Sequence, residues 1–131
     1  MSTRAKATFE VTGWEQTAYD EPADGPQLAR AIVTKTFQGE VAGTSKAELL
    51  MCGAAEGSAG YIAQERVECR VGNRAGSFVL QHGGLRWEGG QKVYGHVVPG
   101  SGTGELRGIR GEVTYHHDEN GAGITLDYDF E

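Results

Sequence analysis

Glu65 and His82 are the residues of this sequence whose types and spacing best suit acid–base chemistry. Each lies in an alternating apolar run, and the Gly72-Asn73 step between the runs is typical of the tight turn of a β-hairpin. A carboxyl group opposite an imidazole in an apolar setting can pass a proton near neutral pH, so we predict that both are catalytic. A two- or four-residue loop centred on the turn pairs Val71 with Gly76, Cys69 with Phe78, Val67 with Leu80 and Glu65 with His82.

The register of this hairpin depends on the length of its loop. A three-residue loop would place Gln81, instead of His82, beside Glu65. The His82 register alone gives both strands a consistent apolar face. Tyr61 lies farther along that face, where its hydroxyl would donate a hydrogen bond to an oxyanion, and it is the third predicted catalytic residue. Burial raises the pKa of a carboxyl group and a cationic neighbour lowers it, so for Glu65 the two effects oppose each other.

Composition restricts the class of protein. A chain of 131 residues is most simply one domain, over residues 1–131, and 21 glycines with 3 prolines favour a turn-rich all-β fold. The net charge of -6 argues against a nucleic-acid partner, which requires a clustered positive surface. The sequence shows neither the apolar run of a signal peptide nor that of a membrane span, so we expect a cytoplasmic protein without a membrane partner.

The two cysteines predict free thiols. Cys52 and Cys69 are expected on inward positions of neighbouring strands, at levels too far apart to bridge. No motif with metal-ligand spacing is present, so we predict neither a metal site nor a cofactor.

Apolar alternation predicts three strands before the central hairpin, over residues 5–14, 28–37 and 44–55. Between the first two, residues 15–27 are acidic and interrupted by proline and glycine, which predicts an irregular loop. Lys35 falls on the inward face of the second strand, either at the rim or paired with an internal acid. The expected inward residues are Ala7, Phe9 and Val11; then Ala29, Ala31, Val33 and Phe37; then Leu50, Cys52 and Ala54.

Two further hairpins follow the central one. Gly83-Gly84 is either a bulge, which would turn Leu85, Trp87 and Tyr94 inward, or regular strand, which would turn them outward and Val93 and Val97 inward. The last hairpin turns at Asn120-Gly121. It pairs His117 with Ile124, Tyr115 with Leu126 and Val113 with Tyr128, and its apolar face holds Val113, Tyr115, Leu126, Tyr128 and Phe130.

Eight strands without a convincing helix predict an all-β fold, an eight-stranded antiparallel up-and-down barrel, because closure removes the exposed edges of a flat sheet. Such a barrel is wide enough for packed side chains or one small ligand. Small inward residues leave room for a ligand, or Phe and Tyr side chains from across the barrel fill that space. The predicted ligand-binding residues are Phe9, Phe37, Leu50, Cys52, Phe78, Tyr94, Tyr115 and Tyr128.

The glycine-rich residues 101–113, SGTGELRGIRGEV, followed by the terminal ITLDYDF, resemble the corresponding pattern of allene oxide cyclases and dirigent proteins. Together with TKTFQGEVAG and ERVECRVGNRAGSFVLQHGG, they resemble more closely a family of small bacterial barrels of unknown function with that fold. The resemblance implies an allene-oxide-cyclase-like barrel with an internal pocket. Allene oxide cyclases act on a fatty-acid-derived epoxide, but a shared barrel does not imply shared chemistry.

Three functions are compatible with these patterns. The first is an isomerase or cyclase that uses buried Glu65 and His82 on a small, mostly apolar molecule. The second is a barrel that binds such a molecule without changing it. The third is a structural barrel in which the two residues satisfy each other and function resides on an outer surface or in a homo-oligomer.

Overall fold

The computed structural model describes residues 2–54, 56–119 and 121–131, and these contain no helix, hence none long and apolar enough to cross a membrane. Alternating apolar residues place the described chain in β-strands instead. The strands are β1 (Thr3–Asp20), β2 (Gln27–Gly39), β3 (Val41–Gly53), β4 (Ala59–Val71), β5 (Arg74–Trp87), β6 (Gly90–Val97), β7 (Thr103–Gly104), β8 (Ile109–Asp118) and β9 (Gly121–Phe130).

Eight of these strands close into an antiparallel barrel, which confirms the predicted architecture. Each long strand pairs with its neighbours in the chain, and β1 pairs with β9 to close the circle. Strand β5 pairs with β6 from Leu80, opposite Val97, onward. The earlier part of β5 pairs with the two-residue β7, where Ser77 lies opposite Thr103. A closed barrel leaves few backbone hydrogen-bonding groups at a free edge.

Strand β1 is longer than predicted. It continues to Asp20 through residues expected to be irregular, and two register shifts, between Val11 and Gly13 and between Ala18 and Asp20, accommodate the polar stretch. Strand β9 pairs with β1 only as far as Thr8, so the second half of β1 is covered on one side only. This explains why Val11 is 46% exposed although the alternation places it inward.

Both hairpin registers differ by two residues from the predicted ones. Val71 pairs with Arg74 across Gly72, whose φ of 62° suits a two-residue turn, so Ala63 lies opposite His82 and Leu80 lies opposite Glu65. In the last hairpin Tyr115 pairs with Ile124, not with Leu126; Asn120 of its predicted turn lies outside the described residues. A shift of two preserves every face, so the inward residues of both hairpins remain inward.

The faces of β3 are the reverse of the prediction. Met51 pairs with Tyr61 and Gly53 with Ala59, so five residues, an odd number, separate the paired ends. The odd loop turns Leu50 outward, where it is 44% exposed, and Cys52 lies on the same outer face. The inward residues of β3 are Ser45, Ala47, Leu49 and Met51.

No bulge forms at Gly83-Gly84, because the pairing of β5 with β4 and β6 is continuous there. Leu85, Trp87 and Tyr94 are consequently exposed on the outside, the second of the two alternatives. Val97 is buried, whereas Val93 is 41% exposed at the open end of the barrel. Cys52 and Cys69 are free, and burial raises the pKa of the Cys69 thiol to about 12.

The barrel interior is packed at one end and contains small residues toward the other. The larger apolar cluster includes Phe37, Phe78, Leu80, Ile109 and Leu106, and the last of these closes the packed end. Gly102 allows this closure, because a Cβ there would lie 2.0 Å from the Leu106 carbonyl oxygen. The second cluster consists of Ala31, Val33 and Ala47 with Leu49 and Met51 against it.

We expect Leu106→Ala to destabilise the fold by about 2–5 kcal/mol, because it opens a cavity where the barrel is closed. Urea denaturation of both proteins measures the difference. Leu85→Ala, at an exposed outer position, is the matched control and should cost less than about 1 kcal/mol. Equal losses in the two variants would contradict the assignment of the closed end.

Candidate functional site

A buried polar cluster surrounds the Glu65 carboxylate, which is fully inaccessible to solvent. Oε1 accepts hydrogen bonds from the Tyr115 hydroxyl at 2.7 Å, His82 Nε2 at 2.9 Å and Lys35 Nζ at 3.2 Å. Oε2 accepts one from the Ser45 hydroxyl at 2.5 Å. The carboxylate therefore has four donors, and one of them is a buried cation.

The strand registers explain why these five side chains meet. Lys35 pairs with Ser45, and Ala47, two residues farther along β3, pairs with Glu65. The inward side chains of Ser45 and Glu65 are therefore diagonal neighbours on adjacent strands. Lys35 lies one strand beyond Ser45, and its long side chain reaches the carboxylate. His82 is likewise diagonal to Glu65, one inward position from Leu80. Tyr115 reaches the carboxylate from β8, across the barrel.

The donors determine the ionisation of Glu65. Burial acts to raise the pKa of Glu65, but the hydrogen bond from His82, the Lys35 charge and the bonds from Ser45 and Tyr115 together lower it to about 2. The structure thus resolves the opposing effects in favour of the anion. At neutral pH Glu65 is a fixed negative charge, and it is not a proton donor.

Because the Glu65 carboxylate can only accept hydrogen bonds, the His82 Nε2 atom must carry the proton between them. The other nitrogen, Nδ1, lies 3.1 Å from the Tyr61 hydroxyl. In neutral imidazole Nδ1 is an acceptor, so Tyr61 then donates to His82. The three predicted catalytic residues are therefore brought together in a chain, with His82 in the middle.

Aromatic rings pack around the hydrogen-bonded chain formed by the side chains of Tyr61, His82 and Glu65. The Tyr115 and His82 rings lie 4.3 Å apart, centroid to centroid, and Lys35 Nζ lies 4.7 Å from the Phe9 ring and 4.9 Å from the Tyr115 ring. Burial, and then the Glu65 charge, raises the pKa of Tyr61, and the same two causes raise the pKa of Tyr115 well above its ordinary value. Both hydroxyls keep their protons at neutral pH.

Tyr61 also borders a recess of about 460 Å³ at the open end of the barrel. Its half-buried ring packs against Gly84, where a Cβ would lie 3.0 Å from the ring. The recess therefore meets the polar cluster through Tyr61. The other lining residues are Trp14, Leu49, Met51, Cys52, Gly53, Ala59, Gly60, Leu85, Arg86, Gln91 and Val93.

The predicted ligand-binding residues are distributed over different parts of the barrel. Phe37 and Phe78 are buried in the packed end, with Phe9 and Tyr128 against the same cluster. Tyr115 is bonded to Glu65. Leu50 and Tyr94, predicted to be internal, are exposed on the outer face. The Tyr94 hydroxyl lies over Gly83 there, where a Cβ would be 2.5 Å away from it. Of the predicted set, Cys52 borders the recess.

Sequence reasoning missed Ser45 and the apolar wall of the recess. Both follow from the odd loop after β3, which an alternation pattern alone does not specify. For Lys35 the alternative of pairing with an internal acid is the one observed, and not placement at the rim. Among residues 2–54, 56–119 and 121–131, no three His, Cys, Asp or Glu side chains are grouped to hold a metal ion.

Fold and site together define a closed eight-stranded β-barrel with a buried polar cluster beside its open end. The chain belongs to the DUF3224 family of proteins of unknown function, whose model matches residues 5–131. It is similar to the crystal structure of a DUF3224 protein of unknown function from Shewanella oneidensis MR-1, with 32% identity over 100% of this chain and 99% of that chain and a TM-score of 0.87. No match was found among curated proteins.

These comparisons confirm the resemblance to a bacterial barrel family of unknown function. The finer likeness to allene oxide cyclases stays a prediction. Because the family has no stated activity, the chemistry of the site must be derived from this chain.

We expect Glu65→Gln to destabilise the protein by about 3–5 kcal/mol at pH 7, because it leaves the Lys35 ammonium buried without its counter-charge. Since folding lowers the pKa of Glu65 to about 2, the stability that ionised Glu65 contributes is complete above about pH 4.5 and is lost as the pH falls toward about 2. The difference between wild type and variant should therefore shrink over that range. Denaturant unfolding at several pH values measures it.

Glu68→Gln, on the exposed face of the same strand, is the matched control and should change stability little at any pH. A Glu65→Gln difference that stays constant from pH 7 to pH 2 would contradict the lowered pKa.

Proposed function

We propose that this protein binds a small, mostly apolar molecule in the recess at the open end of the barrel and hydrogen-bonds a polar atom of that molecule through Tyr61. The observation that carries the proposal is the position of Tyr61, which borders the recess and is also hydrogen-bonded to buried His82. The site thus combines an apolar surface with one oriented polar group.

The size and lining of the recess support this assignment. Its volume of about 460 Å³ falls within the range of roughly 300–1,000 Å³ that small-molecule sites occupy. Leu49, Met51 and Val93 provide apolar walls, and the Trp14 indole, 50% exposed, provides an aromatic surface at the rim. Apolar side chains beside a few convergent polar groups are the usual composition of a ligand site.

Tyr61 suits the role of polar anchor because its orientation is fixed. His82 is held by Glu65, and its Nδ1 atom in turn positions the Tyr61 hydroxyl. A hydroxyl that is already positioned loses less rotational freedom when it binds a ligand oxygen. Because Tyr61 donates its proton to Nδ1, its oxygen is free to accept, and a ligand with a hydroxyl group would be favoured over a hydrocarbon.

Isomerisation or cyclisation is a second candidate function, favoured by the chain from Tyr61 through His82 to Glu65. Because the pKa of Glu65 is lowered to about 2, Tyr61 and His82 would transfer protons to and from the substrate, and Glu65 would position His82. Tyr61 would turn its hydroxyl proton from Nδ1 to the substrate oxygen and stabilise the oxyanion, and the freed Nδ1 would accept the proton from the substrate carbon and return it. A bound ketone, 2-acetylnaphthalene, recovered from heavy water without deuterium in its methyl group would leave binding alone as the function.

Other expectations from the sequence remain part of this proposal. A cytoplasmic location, a single domain over residues 1–131 and association into a homo-oligomer stay predictions. So does the expectation that neither nucleic acid nor membrane is a partner.

Val93→Trp should abolish binding of the apolar fluorophore N-phenyl-1-naphthylamine, because the indole would occupy the recess that Val93 lines. Fluorescence titration measures the dissociation constant. Ile62→Trp adds the same side chain on the exposed outer face of β4 and should leave it within about twofold of the wild-type value. Equal binding to both variants, each shown to be folded by circular dichroism, would locate the fluorophore outside the recess.

Tyr61→Phe should weaken binding of 2-naphthalenemethanol, whose hydroxyl donates to the Tyr61 oxygen, by about 2- to 10-fold, the usual net value of one hydrogen bond. Binding of 2-ethylnaphthalene, which lacks the hydroxyl group, should change less than about 2-fold. Displacement of N-phenyl-1-naphthylamine measures both. If the two molecules lose affinity equally, Tyr61 contributes only its ring surface and is not the anchor.

A further inference from the structure

Arg86 is a charged side chain that borders the recess. It lies on the inward face of β5 with His82 and Gly84, and its strand neighbours are Ala59 and Gln91. No aspartate or glutamate is among the described residues that line the recess. Among the described residues that line the recess, Arg86 is therefore the one with a formal charge.

Within residues 2–54, 56–119 and 121–131, the Arg86 guanidinium also lacks a partner. Three other arginines form ion pairs, Arg4 with Asp127, Arg30 with Glu48 and Arg110 with Asp129. In the part of the chain that the structure describes, no ion pair or hydrogen bond engages the Arg86 side chain. Its donors are therefore available to a molecule in the recess.

We propose that the recess takes an amphipathic monoanion, whose apolar body lies against the recess wall and whose single anionic group contacts Arg86. This inference rests on the proposed binding function and specifies its ligand class. The planar guanidinium can donate two parallel hydrogen bonds to a carboxylate or phosphate, which favours such a head group over a neutral one.

The strand register gives the spacing between the two polar groups of the site. Tyr61 pairs with Gly84, and Arg86 follows Gly84 by two residues on the same face, about 7 Å along the strand. Arg86 lies nearer the rim and Tyr61 lies deeper. A ligand with its anionic group outward and an oxygen at its inner end would meet both residues.

The exposure of Arg86 determines how its contribution will be observed. A guanidinium that keeps contact with water forms ion pairs of moderate strength that salt screens. The affinity for an anionic ligand should therefore fall as salt is added, whereas the affinity for its neutral counterpart should not.

Two fluorophores with the same aromatic skeleton test the inference. N-phenyl-1-naphthylamine is neutral, and 8-anilinonaphthalene-1-sulfonate adds one sulfonate. Arg86→Gln should weaken binding of the sulfonate by about five- to tenfold at low salt and of the neutral compound by less than about twofold. Lys92→Gln removes the same charge from the outer face of the adjacent strand β6 and should leave both affinities within about twofold of wild type.

The outcomes separate this inference from the function on which it rests. If neither fluorophore binds in a manner that Val93→Trp abolishes, the recess is not a ligand site and the proposed function fails. If the neutral compound binds there but Arg86→Gln and Lys92→Gln affect the sulfonate equally, the anion inference fails and the binding function stands. Displacement by octanoate or octyl sulfate, stronger than by 1-octanol, would support the inference and identify the head group; equal displacement by all three would overturn it.

Discussion

The buried charge of Glu65 is the constraint on which the arrangement of the barrel interior depends. Removing a carboxylate from water costs several kcal/mol unless other groups replace the lost hydration. Here Lys35, His82, Ser45 and Tyr115 replace it, and they come from four different strands. A well-packed apolar group would often be as stable or more so. In the proposed binding function, the cluster has a role other than stability, which is to orient His82.

The cluster also lies where the packing of the barrel changes. On one side of it, Phe37, Phe78 and Leu80 fill the interior. Toward the open end the inward positions hold Ala29, Ala31, Ala47, Ala63 and Gly84, which leave space between the strands. Small residues surrounding a fixed polar group create a recess, and large residues beneath it keep the polar group from shifting. The half-open interior follows from where the large side chains lie.

Alternation of apolar residues predicted the all-β barrel and the inward faces of both hairpins, because a two-residue error in register preserves the face of every side chain. It placed Glu65 and His82 in one site although they are diagonal and not directly opposite. It failed on β3, where the odd loop reverses the faces and turns Leu50 outward. It also missed the extension of β1, because pairing with β2 stabilises a polar stretch that has weak strand propensity of its own.

The lowered pKa of Glu65 changes the role that the sequence suggested for it. A carboxyl group with a pKa of about 2 is too weak a base and too rarely protonated to exchange protons near neutral pH. Its negative charge instead fixes the proton of His82 on Nε2 and directs Nδ1 toward Tyr61. Tyr61 is thus the member of the chain that meets the recess, and Arg86 is the cation at its rim. In the proposed binding function, recognition of a ligand would depend on a phenol and a guanidinium, and the buried carboxylate would act through His82.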